Sequence, residues 1–343
     1  MVGQLPLIPL AVSLVVSCVG VLLLTPVAGA LGRRFGLVDQ PRPGELQQER
    51  TPRSGGYALL TAFLIAIAAS VPLVSHTGDE LTRILGLIVG IVLVLPIALI
   101  DDLRRLGPFP QLVGQIGLAS VVMAFGLVIT SVANPFGGLI ALPVLLAIPF
   151  TLLWIVGMIN TLNWIDTVDG LAAGVTAIAS IVLFARSVSL GQYTISLLPL
   201  ALAGVCVGFL RYNFNPARIF MGTCGSTFLG FTLAILALIG GAKIATAAFV
   251  LGLPIIDTAL VIVQRSAQRR SPFVGGDDAH LTHRLVQRGL SSRRIALLIY
   301  AVCAAGGMLA MTLNGLEKLW VMIAVGLAAV VLALRFATAR PAS

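Results

Sequence analysis

Two adjacent carboxylates, Asp101 and Asp102, close an apolar run from Gly86 to Ile100 in a chain where only 10% of residues are charged. Charge in hydrocarbon costs about 2.5–3.5 kcal/mol per group on insertion scales, so acidic residues at the mouth of an apolar segment are usually kept for work. Oxygen-bearing side chains recur between the other apolar runs: Asn160, Asn163, Asp166 and Asp169, then Asn213 and Asn215, then Asp277, Asp278, His280 and His283. Hard oxygens at an open site suit Mg²⁺, which takes one or two carboxylates plus substrate phosphates and keeps water. The chemistry this set describes is metal and phosphate chemistry at a membrane surface. A zinc cage or a disulfide frame is not indicated, since Cys18, Cys206 and Cys303 sit in apolar runs as small hydrophobes and Cys224 stands apart in a loop.

Spacing sharpens three of these segments. From Asn160 to Asp169 a polar group falls every three residues, so a helix there would put Asp166 and Asp169 on one face. No basic residue lies in this stretch, and two close carboxylates repel unless a cation or a shared proton intervenes; a solvated loop with helix-capping Asp residues is the plainer alternative. Gly222 to Ser226 precedes an apolar run, where free N–H groups could hold an anion, although glycines at such a place more often serve a turn or close packing. The segment Ser271 to Arg284 combines turn formers with His280, His283 and Arg284, which could hold a phosphate or exchange a proton. Asp257, three residues after Pro254 inside an apolar run, is expected to make a structural hydrogen bond or mark a helix break.

The elements that must position these groups are membrane helices. With 58% hydrophobic residues and a mean hydropathy of +1.04, the apolar runs are too many and too long for one soluble core. Spans of about 20 apolar residues fit eleven times: 5–29, 55–75, 84–100, 112–131, 139–158, 171–186, 193–210, 225–241, 245–264, 294–313 and 318–337. The expected fold is all-α, a single polytopic domain over residues 1–343; the runs are too long for barrel strands. Arg33 and Arg34 follow the first run and no basic residue precedes it, which predicts an uncleaved helix with its N-terminus outside. Eleven spans then place 18 of the 22 basic residues on the inner side, leaving Arg83, Arg186, Lys243 and Lys318 outside. That bias accounts for the net charge of +9 by topology and anionic lipid, without nucleic acid as a partner. A cell inner (plasma) membrane location is expected, with a cytoplasmic C-terminus and the chemistry-bearing loops on the same side. Assembly of several copies stays open, because lipid-facing and helix-facing surfaces have the same composition.

In combination the segments resemble the polyprenyl-phosphate N-acetylhexosamine-1-phosphate transferases, relatives of phospho-MurNAc-pentapeptide translocase, from about Asp39 to Leu290. The stretches carrying the likeness are Thr51-Pro-Arg-Ser-Gly-Gly56, Asp101-Asp102 with Leu112-Val-Gly-Gln115, Asn163 to Gly170, Asn213 to Gly222, Pro254-Ile-Ile-Asp257-Thr258, and Ser271-Pro-Phe followed by His280-Leu-Thr-His283-Arg284-Leu285. The resemblance implies ten or eleven helices around a cytoplasmic active-site cleft. It implies Mg²⁺, with Mn²⁺ as the substitute, and transfer of an N-acetylhexosamine-1-phosphate from a UDP-N-acetylhexosamine to undecaprenyl phosphate, releasing UMP. It implies catalytic roles for Asp101, Asp102, Asp166 and Asp169, metal contact for Asp102, Asp166 and Asp169, and substrate binding by Arg53, Asn163, Asn213, His280, His283 and Arg284.

Departures from that pattern are specific. Where the family carries Met-Gly-Asp-x-Gly-Ser, this chain has Thr223 in place of the Asp; the Lys-x-His before the Pro-Arg-x-Gly-Gly element aligns with Glu45 and Gln47; the middle of His-x-His-His is Thr282. Two readings follow. One is an active enzyme in which Asp102, Asp166, Asp169 or the nearby Asp277 and Asp278 compensate for Thr223. The other is a weakened relative that binds polyprenyl phosphate or nucleotide-sugar without efficient turnover. A transporter would be expected to show repeated halves with broken helices, and no such repeat is visible in the sequence.

Overall fold

The computed structural model describes residues 5–39, 50–104, 106–134, 136–239, 243–267, 280–313, 315–321 and 323–324. The described residues include the α-helices α1 (Leu7–Arg34), α2 (Gly55–Ser70), α3 (Gly78–Arg104), α4 (Pro108–Met123), α5 (Val144–Ile165), α6 (Leu171–Ser189), α7 (Tyr193–Asn213), α8 (Gly222–Leu238), α9 (Ile244–Val250), α10 (Gly252–Ala267), α11 (Leu281–Gln287) and α12 (Ser292–Thr312). Two short antiparallel pairs join them, β1 (Val38–Asp39) with β2 (Thr51–Pro52) and β3 (Ser131–Ala133) with β4 (Leu139–Ala141).

Each of the first ten expected spans contains helix, although 112–131 runs beyond α4 as far as β3 and 139–158 begins in β4. Seven helices among the described residues are long and apolar enough to cross a membrane, or eight with the bent pair α9 and α10, while α4 and α8 are shorter apolar helices. The protein is thus an all-α, multi-pass membrane protein. Of the eleventh expected span, 318–337, residues 318–321 and 323–324 are helical and the rest lie outside the described residues.

The expected helix over 245–264 is two helices at 80°. Pro254 has no N–H to give residue 250, and its ring clashes with that carbonyl, so α9 stops at Val250 and α10 sets off in a new direction. The expected common helical face for Asp166 and Asp169 is also not formed, because α5 ends at Ile165 and both carboxylates lie in the turn before α6. Gly170 closes that turn at φ +76°, a conformation L side chains rarely adopt.

In lipid, helices gain little from burying apolar area against one another, so close backbone approach and hydrogen bonds hold them. Where α1 crosses α7, Gly204 meets Ser17 and Gly208 meets Val21, and Ser13 Oγ donates to Leu197 O at 2.9 Å. Phe63, Phe209, Phe228 and Phe231 are fully buried, and Phe63 meets Phe228 edge-on at 5.5 Å. Large hydrophobics stay exposed on the outside of the bundle, among them Leu23 on α1 and Leu145 and Leu153 on α5, which is where acyl chains would lie.

Helix direction then decides where the chemistry sits. The C-termini of α3, α5 and α7 and the N-termini of α2, α6 and α8 share one rim of the bundle, and the polar groups between the apolar runs fall there. At the opposite rim Thr194, starting α7, donates to Glu80, in the first turn of α3, at 3.3 Å, and Lys243 Nζ donates to Ser187 Oγ at 2.8 Å.

Candidate active site

The rim is built around the N-terminus of α8. The chain before α2 is lashed to the chain before α8: the N–H groups of Gly55 and Gly56 donate to Phe220 O and Met221 O, both at 2.9 Å, and Phe220 N–H donates to Pro52 O at 2.8 Å. A Cβ on Gly56 would run into the backbone of Gly225, so only glycine lets α2 and α8 approach this closely. Gly222 opens α8 at φ +66°, and a Cβ there would run into Arg53 O. The Gly222–Ser226 segment therefore serves a turn and close packing, and its first turn is left facing the carboxylates.

On one side stands Asp102, 7% exposed in the last turn of α3. Tyr57 OH donates to its Oδ2 at 2.9 Å, the Thr223 N–H faces the same carboxylate, and the Arg53 guanidinium lies within electrostatic reach. Among the described residues Asp102 Oδ1 is buried with no hydrogen-bond partner, and so is Arg53 Nε. An unpaired buried carboxylate oxygen costs free energy unless a ligand takes it up. Asp101 is placed otherwise: its Oδ1 accepts from Leu106 N–H at 3.0 Å and Gln111 Nε2 at 2.8 Å, fastening α3 to α4.

On the other side Asn163 Nδ2 donates to Ser226 Oγ at 3.0 Å, fixing the end of α5 against the second turn of α8. Asn160, one turn earlier, points elsewhere, donating to Gln115 Oε1 of α4 at 2.6 Å. Asp169 Oδ2 accepts from Asn215 Nδ2 and Ala217 N–H, each at 3.0 Å, and so ties the α5–α6 turn to the loop between α7 and α8. Asn213 Nδ2 donates to Ile219 O at 3.0 Å within that loop, leaving its buried Oδ1 without a partner among the described residues. Asp166 accepts no protein hydrogen bond among the described residues; burial, with Asp169's charge added, holds its carboxyl well above the usual carboxylate range.

The third group comes from α10 and α11. Asp257 Oδ2 is hydrogen-bonded to His280 Nδ1 and its Oδ1 accepts Leu281 N–H, each at 2.9 Å, so the expected structural hydrogen bond of Asp257 is what orients His280 and starts α11. His280 meets Trp164 edge-on at 5.6 Å, and Arg265 lies over the same indole at 5.6 Å. Thr282 bonds Thr167 at 3.0 Å, docking α11 on the α5–α6 turn, while Arg284 Nη2 donates to Gln264 Oε1 at 3.2 Å and His283 is half-buried beside it. Glu45, Gln47, Asp277 and Asp278 lie outside the described residues.

Sequence reasoning passed over Tyr57 and the Trp164–Arg265 pair. Tyr57 carried one signal, a phenol directly after the Gly55-Gly56 pair in the first turn of an apolar helix; the stacking of Arg265 on Trp164 spans α10 and α5 and has no local signature.

Among the described residues no three His, Cys, Asp or Glu side chains gather as one metal-holding group. The donor chemistry nonetheless fits Mg²⁺: Asp102 Oδ1 is an orphaned hard oxygen, Asp166 is uncommitted, and this ion needs only one or two protein carboxylates when phosphates supply the rest.

A bundle of membrane helices with carboxylates, amides and cations gathered at one rim is the framework of a membrane-embedded transferase. Residues 84–241 match glycosyl transferase family 4. The chain is 35% identical over 302 residues to the probable undecaprenyl-phosphate N-acetylglucosaminyl 1-phosphate transferase of Bacillus subtilis (strain 168), covering 86% of this chain and 82% of that protein. It is 34% identical over 299 residues to the decaprenyl-phosphate N-acetylglucosaminephosphotransferase of Mycolicibacterium smegmatis, covering 79% and 73%. A phospho-N-acetylmuramoyl-pentapeptide-transferase of Chlamydia trachomatis is 34% identical over 190 residues, covering 51% of this chain and 55% of that protein. The chain belongs to glycosyl transferase family 4 and with it to the sugar-phosphate transferases.

Proposed function

We propose that this protein transfers N-acetylglucosamine-1-phosphate from UDP-N-acetylglucosamine to undecaprenyl phosphate at the cytoplasmic face of the membrane, starting a lipid-linked envelope glycan. The observation that carries the reading is Asp102: a carboxylate at the end of an apolar helix, gripped on Oδ2 by Tyr57, orphaned on Oδ1, with Arg53 and the N-terminus of α8 beside it. The relatives' names supply the substrate class.

In the reaction an oxygen of the lipid phosphate attacks the β-phosphorus of the nucleotide-sugar, a new P–O–P link forms, the old one breaks, and UMP leaves with the electron pair. Two anionic partners must be brought face to face, so positioning and electrostatic relief matter more than a protein nucleophile. Arg53 and the free N–H groups of α8's first turn hold phosphate oxygens. Asp102 accepts the proton of a monoprotonated lipid phosphate or keeps that phosphate ionised; Asn163 and Asn213 serve the nucleotide, and His280, His283 and Arg284 the sugar and its phosphate. Asp169 and Asp101 hold the turns that carry Asp166 and Asp102 in place. When bound, Mg²⁺ on Asp102 and Asp166 would neutralise the charge gathered between the two phosphates.

The test is a radiolabel assay in membranes bearing this chain, supplied with UDP-N-acetylglucosamine, undecaprenyl phosphate and Mg²⁺. Lipid-linked product that vanishes in Asp102→Asn supports the enzyme. Thr223, a neutral residue in the first turn of α8 beside Asp102, favours the second reading, a weakened relative; saturable UDP-sugar binding with no product would establish that instead.

A further inference from the structure

Asp166 to Gly170 join α5 to α6, and the two helices after residue 280 hold this turn at two points. At the first, Thr282 in the opening turn of α11 shares a hydrogen bond with Thr167, hydroxyl to hydroxyl, at 3.0 Å. At the second, Tyr300 of α12 donates its hydroxyl to Gly170 O at 2.6 Å. The same carbonyl accepts Gly174 N–H at 2.9 Å, so the phenol takes its second lone pair and α6 starts with or without it. Gly174 also makes room for the ring: a Cβ there would run into the Tyr300 phenol, and α6 and α12 therefore meet in direct contact.

These holds bear on Asp166. Thr167 follows it directly, and Trp164, two residues before it, meets His280 edge-on at 5.6 Å. The start of α11 thus touches the chain on both sides of a carboxylate that accepts no protein hydrogen bond among the described residues. Asp169 is turned away, to Asn215 and Ala217. A side chain with no bond of its own is aimed only by the backbone that carries it. Thr282 stands where the family pattern has a histidine; its side chain is 4% exposed, and its hydroxyl is committed to Thr167.

Resting on the transferase reading above, we propose that Thr282 and Tyr300 are positioning residues, which clamp the turn from Asp166 to Gly170 and so set Asp166 against His280, His283 and Arg284. Neither touches a reactant. They act by holding two groups of reactant-facing side chains in register, where a shift of about 1 Å can cost on the order of a hundredfold in rate. Losing one of the two holds loosens the turn without releasing it, and the effect is smaller.

The test uses the full chain in liposomes. Thr282→Val and Tyr300→Phe each remove one hydroxyl at nearly constant shape. Both are expected to speed amide exchange over residues 166–171 about tenfold and to lower kcat about fivefold, while KM for undecaprenyl phosphate moves by less than about twofold. Thr282→Ser keeps the hydroxyl and should restore both readouts, and Thr167→Val joined to Thr282→Val should be no worse than either alone. Wild-type exchange or kcat in either hydroxyl-deleted variant overturns the proposal. Fast exchange spread along all of α6 and α12 with a lowered thermal midpoint also overturns it, as does Thr282→Ser behaving like Thr282→Val; both outcomes mark packing alone. If the wild-type chain makes no lipid-linked product, the transferase reading falls while amide exchange still decides the clamp. Robust transfer with unchanged exchange in the variants sinks the clamp alone.

Discussion

At the scale of single residues the site turns on which oxygens the protein leaves unspent. Asp101 and Asp102 are neighbours with similar burial, yet Asp101 accepts two protein hydrogen bonds on one oxygen while Asp102 keeps a buried oxygen unpaired. On the proposed reading, in which Asp102 meets the reacting phosphates, Asp102→Asn is expected to cut lipid-linked product roughly a hundredfold or more. Tyr57→Phe should cost about 1–3 kcal/mol in transition-state stabilisation by removing the hydroxyl that holds Asp102 Oδ2, read as a drop in kcat/KM. Asp166 carries a pH signature. Its carboxyl is raised in the folded protein by burial and by Asp169, so it contributes fully below the unfolded carboxylate range, and stability falls as pH rises from there through the raised folded value. Asp166→Asn should therefore unfold at a higher temperature than wild type at neutral pH and at the same temperature in acid, in detergent thermal scans. Mg²⁺ should raise the wild-type midpoint and leave the Asn variant unmoved. Thr223→Asp, a carboxylate returned to the first turn of α8, should lower the Mg²⁺ concentration for half-maximal activity about tenfold.

At the scale of elements, the N-termini of α2 and α8 are pinned backbone to backbone, and this contact places Arg53, Tyr57 and Thr223 around Asp102. Gly56→Val should destabilise by about 3 kcal/mol, the upper part of the overpacking range, because backbone atoms of Gly225 cannot rotate away as a side chain would. Thermal midpoint and yield of monodisperse protein in detergent would report it. Bending matters equally: a straight helix over 245–264 would carry Gln264 and Arg265 along its own axis, whereas the break after Val250 redirects α10 so that Arg265 lies over Trp164 and Asp257 reaches His280. Asp257→Ala should loosen α11 and lower kcat with little change in the overall fold, seen as faster amide exchange over 281–287.

For the whole molecule, the up-and-down course of the helices sends one rim to the chemistry and gives the other a set of structural contacts such as Thr194 to Glu80. On the positive-inside rule, the excess of arginine near the chemical rim predicts that this rim faces the cytoplasm. Ser75→Cys, exposed before α3, should react with a membrane-impermeant maleimide in intact cells, and Ser291→Cys, exposed before α12, only after permeabilisation. The reverse pattern would overturn the orientation. At the opposite rim Lys243 is fully buried; burial and the Arg186 charge push its ammonium down to about 8, and it donates to Ser187.

By itself the sequence determined the class of fold and the polar residues proposed for the site. Runs of apolar residues can only be membrane helices, because a backbone in lipid must satisfy its own hydrogen bonds, and charges that survive among them declare themselves by their cost. Asp102, Asn163, Asp166, Asp169, Asn213 and His280, singled out in the sequence, lie at the one rim of the bundle. The tertiary structure decided how each one is used. Periodicity suggested one helical face for Asp166 and Asp169, but α5 ends before them and Asp169 is turned to the loop at Asn215 and Ala217. Nothing local distinguishes Asp101 from Asp102, or marks Tyr57 as the partner of a carboxylate 45 residues away. Hydrogen-bond partners and unpaired oxygens are properties of chain segments brought together in space, and no spacing along one segment encodes them.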